Sequence, residues 1–301
     1  MPAELTVDVA GQRVRVSSLD RVLFPATGFT KAELVDYYVH VADALLPHLG
    51  QRPLTLHRYP EGVGGPHFFQ TRTPPHPDWV QTATMHFPRT GKTFEAPVID
   101  DLPSLVWAAN LSAIELHPFL GRVADLGTPT VVVFDLDPGA PAELVEACAV
   151  ALRLRALLDD ASLASYPKTS GAKGIHVVVP LNTPTTYDET KALARTLART
   201  LTADDPAGVT DRMTRALRPG KVFVDWSQND AGKSTVAPYS LRALRVPTAS
   251  VPLVWAEIEA VVRDRDARGL PFTIDALRTR LAQSGDLHAR VLTQRQRLRR
   301  R

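Results

Sequence analysis

At 301 residues, 44% hydrophobic and 22% charged, the chain can bury a sizeable core as one large domain or two modest ones. A single cysteine, Cys148, excludes a disulfide framework and a cysteine-based zinc site within it, and fits a reducing compartment. The net charge of +3 conceals an asymmetry: residues 290–301 carry six arginines and no acid, and taking those six from the 35 basic residues leaves 29 against 32 acidic ones. A uniformly basic nucleic-acid binder is thereby excluded, so any polyanion site in the body must be local. The basic tail at 290–301 reads either as a non-specific nucleic-acid contact or as a frayed, solvated end. No apolar run nears the roughly 20 residues of a membrane span, and Met1-Pro2-Ala3-Glu4 lacks the basic and apolar regions of a signal peptide, so a cytoplasmic protein with no membrane partner is expected.

The pattern predicts a hairpin over 4–16, where Leu5, Val7 and Val9 alternate, Gly11-Gln12 turns, and Val14 and Val16 alternate again. Arg21 and Lys31 flank a Pro25-Ala26-Thr27-Gly28 turn, as a terminal-phosphate pair or as surface decoration. A helix is predicted from Thr30, with Glu33 completing a capping box, to about Leu46. A strand over 53–59 precedes a Pro- and Gly-rich loop over 60–78. Phe68-Phe69 in that loop is either a stacking platform for bases or an anchor pinned in the core. A short helix near 101–109 leads to a strand near 113–117. In the second half, a strand over 130–137 is followed by a helix from Pro141 to about Leu158, strands at 163–167 and 174–180, a helix at 187–202, a strand at 222–226, and helices near 252–264 and 273–283. Strands mixed with helices imply an α/β or α+β fold.

The chemistry concentrates where the strand Thr130-Val131-Val132-Val133-Phe134-Asp135-Leu136-Asp137 ends. Alternation puts Asp135 and Asp137 on one face and Leu136 on the other. Two adjacent carboxylates repel unless a cation sits between them, and an oxygen-only donor set suits Mg²⁺ or Mn²⁺ better than zinc. The other reading is an acidic strand end. Asp225 closes a second strand-like run, Val222-Phe223-Val224-Asp225. If that strand neighbours the first, three carboxylates converge as a site for two ions, the arrangement that serves phosphoryl transfer. The segment Lys168-Thr169-Ser170-Gly171-Ala172-Lys173-Gly174-Ile175-His176 is either a triphosphate cradle or a hairpin turn; Ser170 offers a hydroxyl, Lys173 a charge, and His176 sits on the strand that follows. His117 and Arg242 are further phosphate-binding candidates, the arginine because its planar fork matches two phosphate oxygens.

Four ordered motifs, Val-Phe-Asp-Leu-Asp-Pro-Gly, Lys-Thr-Ser-Gly-Ala-Lys-Gly-Ile-His-Val, Val-Phe-Val-Asp-Trp-Ser-Gln-Asn and Ala-Pro-Tyr-Ser-Leu-Arg-Ala, closely resemble the polymerase domain of bacterial DNA ligase D. That family belongs to the archaeo-eukaryotic primase superfamily and works in non-homologous end joining. The resemblance extends through Leu-Asp-Arg-Val-Leu-Phe-Pro-Ala-Thr-Gly, Arg-Tyr-Pro-Glu-Gly and Phe-Phe-Gln, and so spans nearly the whole chain. It implies a two-lobed primase–polymerase fold, with mixed sheets flanked by helices and the active site in the cleft. The expected domain covers 1–289, with an N-terminal lobe to about 120 and a catalytic core over 121–289.

The resemblance also implies roles. Asp135, Asp137 and Asp225 match the metal-binding carboxylates, with two ions and Mn²⁺ favoured over Mg²⁺. Ser170, Lys173, His176, Arg242 and His117 match groups around the triphosphate of an incoming NTP or dNTP, with ribonucleotides preferred. Arg21 and Lys31 match a pair that holds a 5′-phosphate, although Lys is usual where Arg21 stands. Phe68 and Phe69 match a pair packed on DNA near the break, and Arg218 lies in a loop that moves towards the active site when DNA binds. His57 stands where Lys is usual, leaving Arg58 and His57 to share the charge of that DNA- or nucleotide-contacting position. The implied function is template-directed extension of DNA ends and short gaps bearing a 5′-phosphate, with a Ku-type protein and an ATP-dependent ligase as partners. A stand-alone primase, a non-catalytic end-binding module and a metal-dependent phosphodiesterase or cyclase are the rival readings.

Overall fold

The computed structural model describes residues 4–87, 91–270 and 272–298; of the basic tail, Arg299, Arg300 and Arg301 lie outside the described residues. The chain divides into two compact units, each assembled from separated stretches: Met1–Ala124, Ser234–Ala249 and Thr273–Gly285 form the first, and Asp125–Lys233, Ser250–Phe272 and Asp286–Arg301 the second.

In the first unit, strands Glu4–Val9 and Gln12–Ser17 form the expected antiparallel hairpin. The helix Lys31–Leu49 starts where the capping box predicts: the Glu33 amide donates to Thr30 Oγ1, and the Thr30 amide to Glu33 Oε2 at 2.7 Å. Leu34, Tyr37, Tyr38, Val41, Ala42, Leu45 and Leu49 recur at helical spacing, and all are buried. The helix runs past the expected end at Leu46 because Pro47 falls in its last turn, where it removes one donor without stopping the chain; the Gly50 amide still reaches the Leu46 carbonyl at 2.8 Å. Strand Leu54–Arg58 is central to a three-stranded antiparallel sheet, between Ala113–Pro118 and Phe68–Gln70. The last of these corrects the loop expected over 60–78: Pro and Gly bracket a three-residue strand whose backbone groups pair with the neighbouring strand. A second hairpin, Thr82–Phe87 with Lys92–Pro97, also went unforeseen.

The second unit is built on a five-stranded sheet, in the order Tyr166–Thr169, Ile175–Pro180, Val131–Pro138, Val222–Asp225 and Val209–Thr210. All pairs are antiparallel except the last. Val132, Phe134 and Leu136 point into a core shared with Ile175, Val177 and Val179 and with Ala147, Ala151 and Leu154 of the helix Leu144–Asp160. Each fully buried Phe or Leu there contributes about 2 kcal/mol. Cys148 lies in this core, fully buried, and burial pushes its thiol up to about 12.

The helix does not start at Pro141. Residues 139–142 turn instead, with the Gly220 amide donating to the carbonyls of Gly139 and Ala140, and the helix begins at Leu144 once the Glu143 amide is capped by Glu146. Part of the Arg-rich segment is anchored: Ala289–Thr293 is helical, and the Gln296 side chain donates to the Pro180 and Ala164 carbonyls while accepting from the Ala164 amide. No helix among the described residues is long and apolar enough to cross a membrane.

Candidate functional site

The central strand of the second unit carries Asp135 and Asp137 at partly open positions, with Leu136 fully buried between them. The shared face read from alternation is therefore present. Register supplies the rest. Asp135 lies directly opposite Asp225 on one neighbouring strand and His176 on the other, and His176 Nε2 is 3.3 Å from Asp135 Oδ1. Three carboxylates and one imidazole thus occupy adjacent positions on three consecutive strands.

Asp225 is held by its own turn: its Oδ1 accepts from the Ser227 amide at 2.9 Å and the Ser227 hydroxyl at 2.6 Å, and its Oδ2 from Gln228 Nε2 at 3.1 Å. The turn is in turn clamped to the central strand. Asn229, fully buried, donates to the Val133 carbonyl and accepts from the Val133 amide, both at 2.8 Å. This side-chain amide fills the ladder position just beyond the point where the Asp225 strand stops pairing. Asn229 lies within the motif Val-Phe-Val-Asp-Trp-Ser-Gln-Asn, but nothing in its local sequence sets it apart as a clamp.

Burial, then the adjacent Asp135 charge, raises the Asp137 carboxyl; Lys173 and Arg218 oppose the shift, Asp225 adds to it, and the net result is about 6. The cluster therefore holds more negative charge than its own cations balance, and its donors at the three aspartates are all oxygen. That donor set fits hard divalent cations.

The Ser170–Gly174 segment packs against this strand. Gly174 has no room for a side chain: a Cβ there would fall 2.4 Å from the Leu136 carbonyl oxygen. Ser170 Oγ accepts from the amides of Ala172 and Gly174, so these two N–H groups close the turn on itself. Lys173 donates to the Pro138 carbonyl at 2.9 Å, one residue beyond Asp137. Arg218 donates to the Met213 carbonyl, and its guanidinium lies 3.6 Å from the Phe223 ring centroid. A Cβ at Gly139 would fall 2.2 Å from the Arg218 carbonyl oxygen, so glycine is what lets this loop reach the strand end.

The remaining candidates belong to the first unit and form two groups. Arg21 and Lys31 meet because the short hairpin Val22–Phe24 with Phe29–Thr30 brings its ends together, with the Lys31 amide donating to the Arg21 carbonyl. The Lys31 ammonium is buried and donates to the Ser17 carbonyl at 2.6 Å. Burial lowers its pKa to about 8, helped by the positive charges of Arg21 and Arg58. Arg21 also donates to the Pro60 carbonyl, and Arg58 to Leu111 and Gln70.

In the second group His57 and Glu115 are register partners on adjacent strands, and His117 lies two residues beyond Glu115 on the same face. Glu115 Oε2 is 2.9 Å from His117 Nε2 and 3.3 Å from His57 Nδ1, while Oε1 is 3.1 Å from Arg242 Nε and accepts from the Ala243 amide. Burial pushes the Glu115 carboxyl up, but hydrogen bonds from His117 and His57 and the Arg242 charge outweigh it and hold the group well below the usual carboxylate range. Glu115 was not among the residues singled out from the sequence; its signal was the Glu-x-His alternation on one strand. Phe68 and Phe69 are 46% and 62% exposed, which removes the core-anchor reading. Phe69 stacks on His57 at 3.8 Å between centroids, and the Arg58 guanidinium lies 5.4 Å from the Phe68 ring centroid.

The chain is similar over most of its length to proteins of one family. The family described as LigD, primase-polymerase domain, matches residues 30–288. The multifunctional non-homologous end joining protein LigD of Mycolicibacterium smegmatis is 41% identical over 281 residues, which is 92% of this chain and 36% of that protein. The bifunctional LigD of Bacillus subtilis is 33% identical over 276 residues, 91% of this chain and 43% of that protein. The chain thus spans well under half the length of these relatives. Among solved structures, the polymerase domain from Mycobacterium tuberculosis ligase D in complex with DNA superimposes with a TM-score of 0.87 at 40% identity, covering 95% of this chain and 100% of that one.

Proposed function

This chain belongs to the LigD primase-polymerase family, and on that premise we propose that it is a DNA-directed nucleotidyltransferase that extends DNA ends and fills short gaps in non-homologous end joining. The observation that carries the reading is the register of Asp135 opposite Asp225, with Asp137 beside them. Divalent cations bound at these three carboxylates would lower the pKa of a primer 3′-hydroxyl and neutralise charge on a triphosphate. Asp135 and Asp137 hold the required negative charge on one face of a rigid strand, and the Ser227 and Asn229 hydrogen bonds fix Asp225 to meet them. With a carboxyl near 6, Asp137 is ionised at neutral pH and accepts a cation without a large proton penalty. Lys173 and His176 supply positive charge or hydrogen bonds at the same strand end, and with Ser170 are assigned to the β- and γ-phosphates.

In the first unit, the Arg21–Lys31 pair, with Arg58 nearby, concentrates positive charge without a carboxylate among the contacts described for it, as a 5′-phosphate site requires. Phe68 and Phe69 offer exposed rings to bases, and His117 and Arg242 are assigned to nucleotide contact. Ribonucleotide preference, Mn²⁺ as the favoured ion, and a Ku-type protein and a ligase as partners complete the proposal by family likeness.

The test is extension of a 5′-phosphorylated gapped duplex with NTPs against dNTPs, and with Mn²⁺ against Mg²⁺. Asp137→Ala is expected to abolish extension while DNA binding persists. Full extension by that variant in Mn²⁺ would refute the mechanism, and chain initiation without a primer would move the reading to a primase.

A further inference from the structure

We propose that His57, Glu115 and His117 bind one divalent transition-metal ion of the zinc type, at a site separate from the aspartate triad. Among the described residues this is the group of His, Cys, Asp and Glu side chains whose ligand atoms all lie within 4.8 Å of one another. The spacing is tight: Glu115 Oε2 is 3.3 Å from His57 Nδ1 and 2.9 Å from His117 Nε2. Metal–ligand bonds of about 2.0–2.1 Å place neighbouring ligands of a tetrahedral ion about 3.3 Å apart. The three atoms therefore need small adjustments to surround an ion, and they leave a fourth position for water or an anionic oxygen.

The surrounding hydrogen bonds orient the ligands, and one tautomer of His57 supplies the required lone pair. His57 Nε2 is 2.9 Å from His67 Nδ1. With the proton on His57 Nε2, donated to His67, the Nδ1 lone pair faces Glu115; a hydrogen-bonded second nitrogen is the usual way a metal-binding histidine is oriented. Arg242 and the Ala243 amide hold Glu115 through Oε1, which leaves Oε2 as a single-oxygen ligand. The Tyr59 hydroxyl is 3.1 Å from His57 Nδ1, so binding requires its proton to turn away. Two imidazoles and one carboxylate favour zinc, cobalt or nickel over magnesium. His57 and Glu115 are both buried, and the Phe69 ring covers His57, so an ion would be shielded from bulk water. A lysine at position 57 could not form this set.

The experiment uses the purified full chain, with excess Mg²⁺ added to compete for the aspartate triad, and titrates Co²⁺ alone. One equivalent should produce the intense visible band of four-coordinate cobalt, and one equivalent of Zn²⁺ should displace it. The band should persist in Asp137→Ala and disappear in His57→Lys. His67→Ala, which removes the orienting partner and leaves the three ligands in place, should weaken Zn²⁺ binding about tenfold or more by calorimetry. Far-UV dichroism identifies any variant that fails to fold, and His117→Gln then replaces it. Absence of the band in the unmodified protein, loss of it in Asp137→Ala, or its survival in folded His57→Lys, or in His117→Gln where that stands in for it, overturns the proposal. The site does not depend on the polymerase reading, because the metal titration needs neither nucleotide nor DNA.

Discussion

Lys31 offers the sharpest test of the proposed 5′-phosphate site. Its ammonium is buried beside Arg21 and Arg58, and burial together with these charges brings its pKa to about 8. A phosphomonoester has its second pKa at about 6, so above pH 7 the DNA end is a dianion and only the protein changes charge. As pH rises through 8, free Lys31 loses its proton, whereas bound Lys31 is held protonated by the phosphate. Between the free and bound pKa values, the affinity gained from a 5′-phosphate should fall towards about tenfold per pH unit. An ordinary lysine would hold that gain flat until about pH 10.4. The assay is fluorescence anisotropy at fixed ionic strength on gapped duplexes carrying a 5′-phosphate or a 5′-hydroxyl. Their affinity ratio is followed from pH 6.5 to about pH 9.5, the lower part of the range before lysine ordinarily titrates. Lys31→Arg, which stays charged, should keep the ratio flat; Lys31→Met should give a low and pH-independent ratio. A flat ratio in the unmodified protein, or the same decline in Lys31→Arg, would show that Lys31 does not meet the phosphate.

Three further outcomes follow from the second unit. In chelator, Asp137→Asn should stabilise the protein at pH 7 by about 3 kcal/mol, because a carboxyl raised from 3.8 to about 6 destabilises the fold once ionised; the gain should vanish below about pH 4, where the acid is protonated in folded and unfolded chains alike, and urea unfolding at the two pH values reads it. An equal gain at both would contradict the electrostatic origin. Gly174→Ala should cost about 3 kcal/mol in the same assay and impair extension, since a methyl carbon 2.4 Å from the Leu136 carbonyl forces the loop off the strand; unchanged melting and activity would show that the loop yields freely. Asn229→Ala should cost about 2–3 kcal/mol by leaving both Val133 backbone groups buried without their partner, and should lower extension through misplaced Asp225; lost stability with full extension would confine Asn229 to a structural role.

Alternation within a strand is visible in sequence, and pairing between distant strands is not. Asp135 and Asp137 could be placed on one face because β-structure has a period of two and the flanking Val and Phe residues leave little doubt of a strand. That Asp225 lies opposite Asp135 depends on which strands become neighbours, and about ninety residues separate the two positions; the family likeness supplied what spacing could not. Glu115 went unread for the same reason, since its partner His57 is on another strand and an acid at an inward position looks like an isolated polar residue. The strand Phe68–Gln70 was hidden by flanking Pro and Gly, which signal a loop whatever pairs between them. Pro141 failed as a helix start because the carbonyls of Gly139 and its neighbour Ala140 were already committed to Gly220, a residue about eighty positions away.

The three charged clusters are all built on paired strands. Two of them take a pair of residues that one strand brings together and add further groups through strand pairing, Asp135 and Asp137 with Asp225 and His176, and Glu115 and His117 with His57; the third joins Arg21 with Lys31 across a short hairpin. Backbone ladders hold the sets, so like charges stay close although they repel; burial first, and these charges with it, raise the Asp137 carboxyl and lower the Lys31 ammonium. A free side-chain cluster would relieve that repulsion by rotating apart or by exchanging protons with water. Held in register, the aspartates and the Arg21–Lys31 pair retain a charge imbalance that a ligand of opposite sign would relieve: the proposed cations at the first, the proposed phosphate at the second. At Glu115 the balance differs, since Arg242 already neutralises one carboxylate oxygen. An ion there must bind through its bonds to imidazole rather than through net charge, so Zn²⁺ should be retained there in excess Mg²⁺, while the aspartates discriminate far less between the two ions.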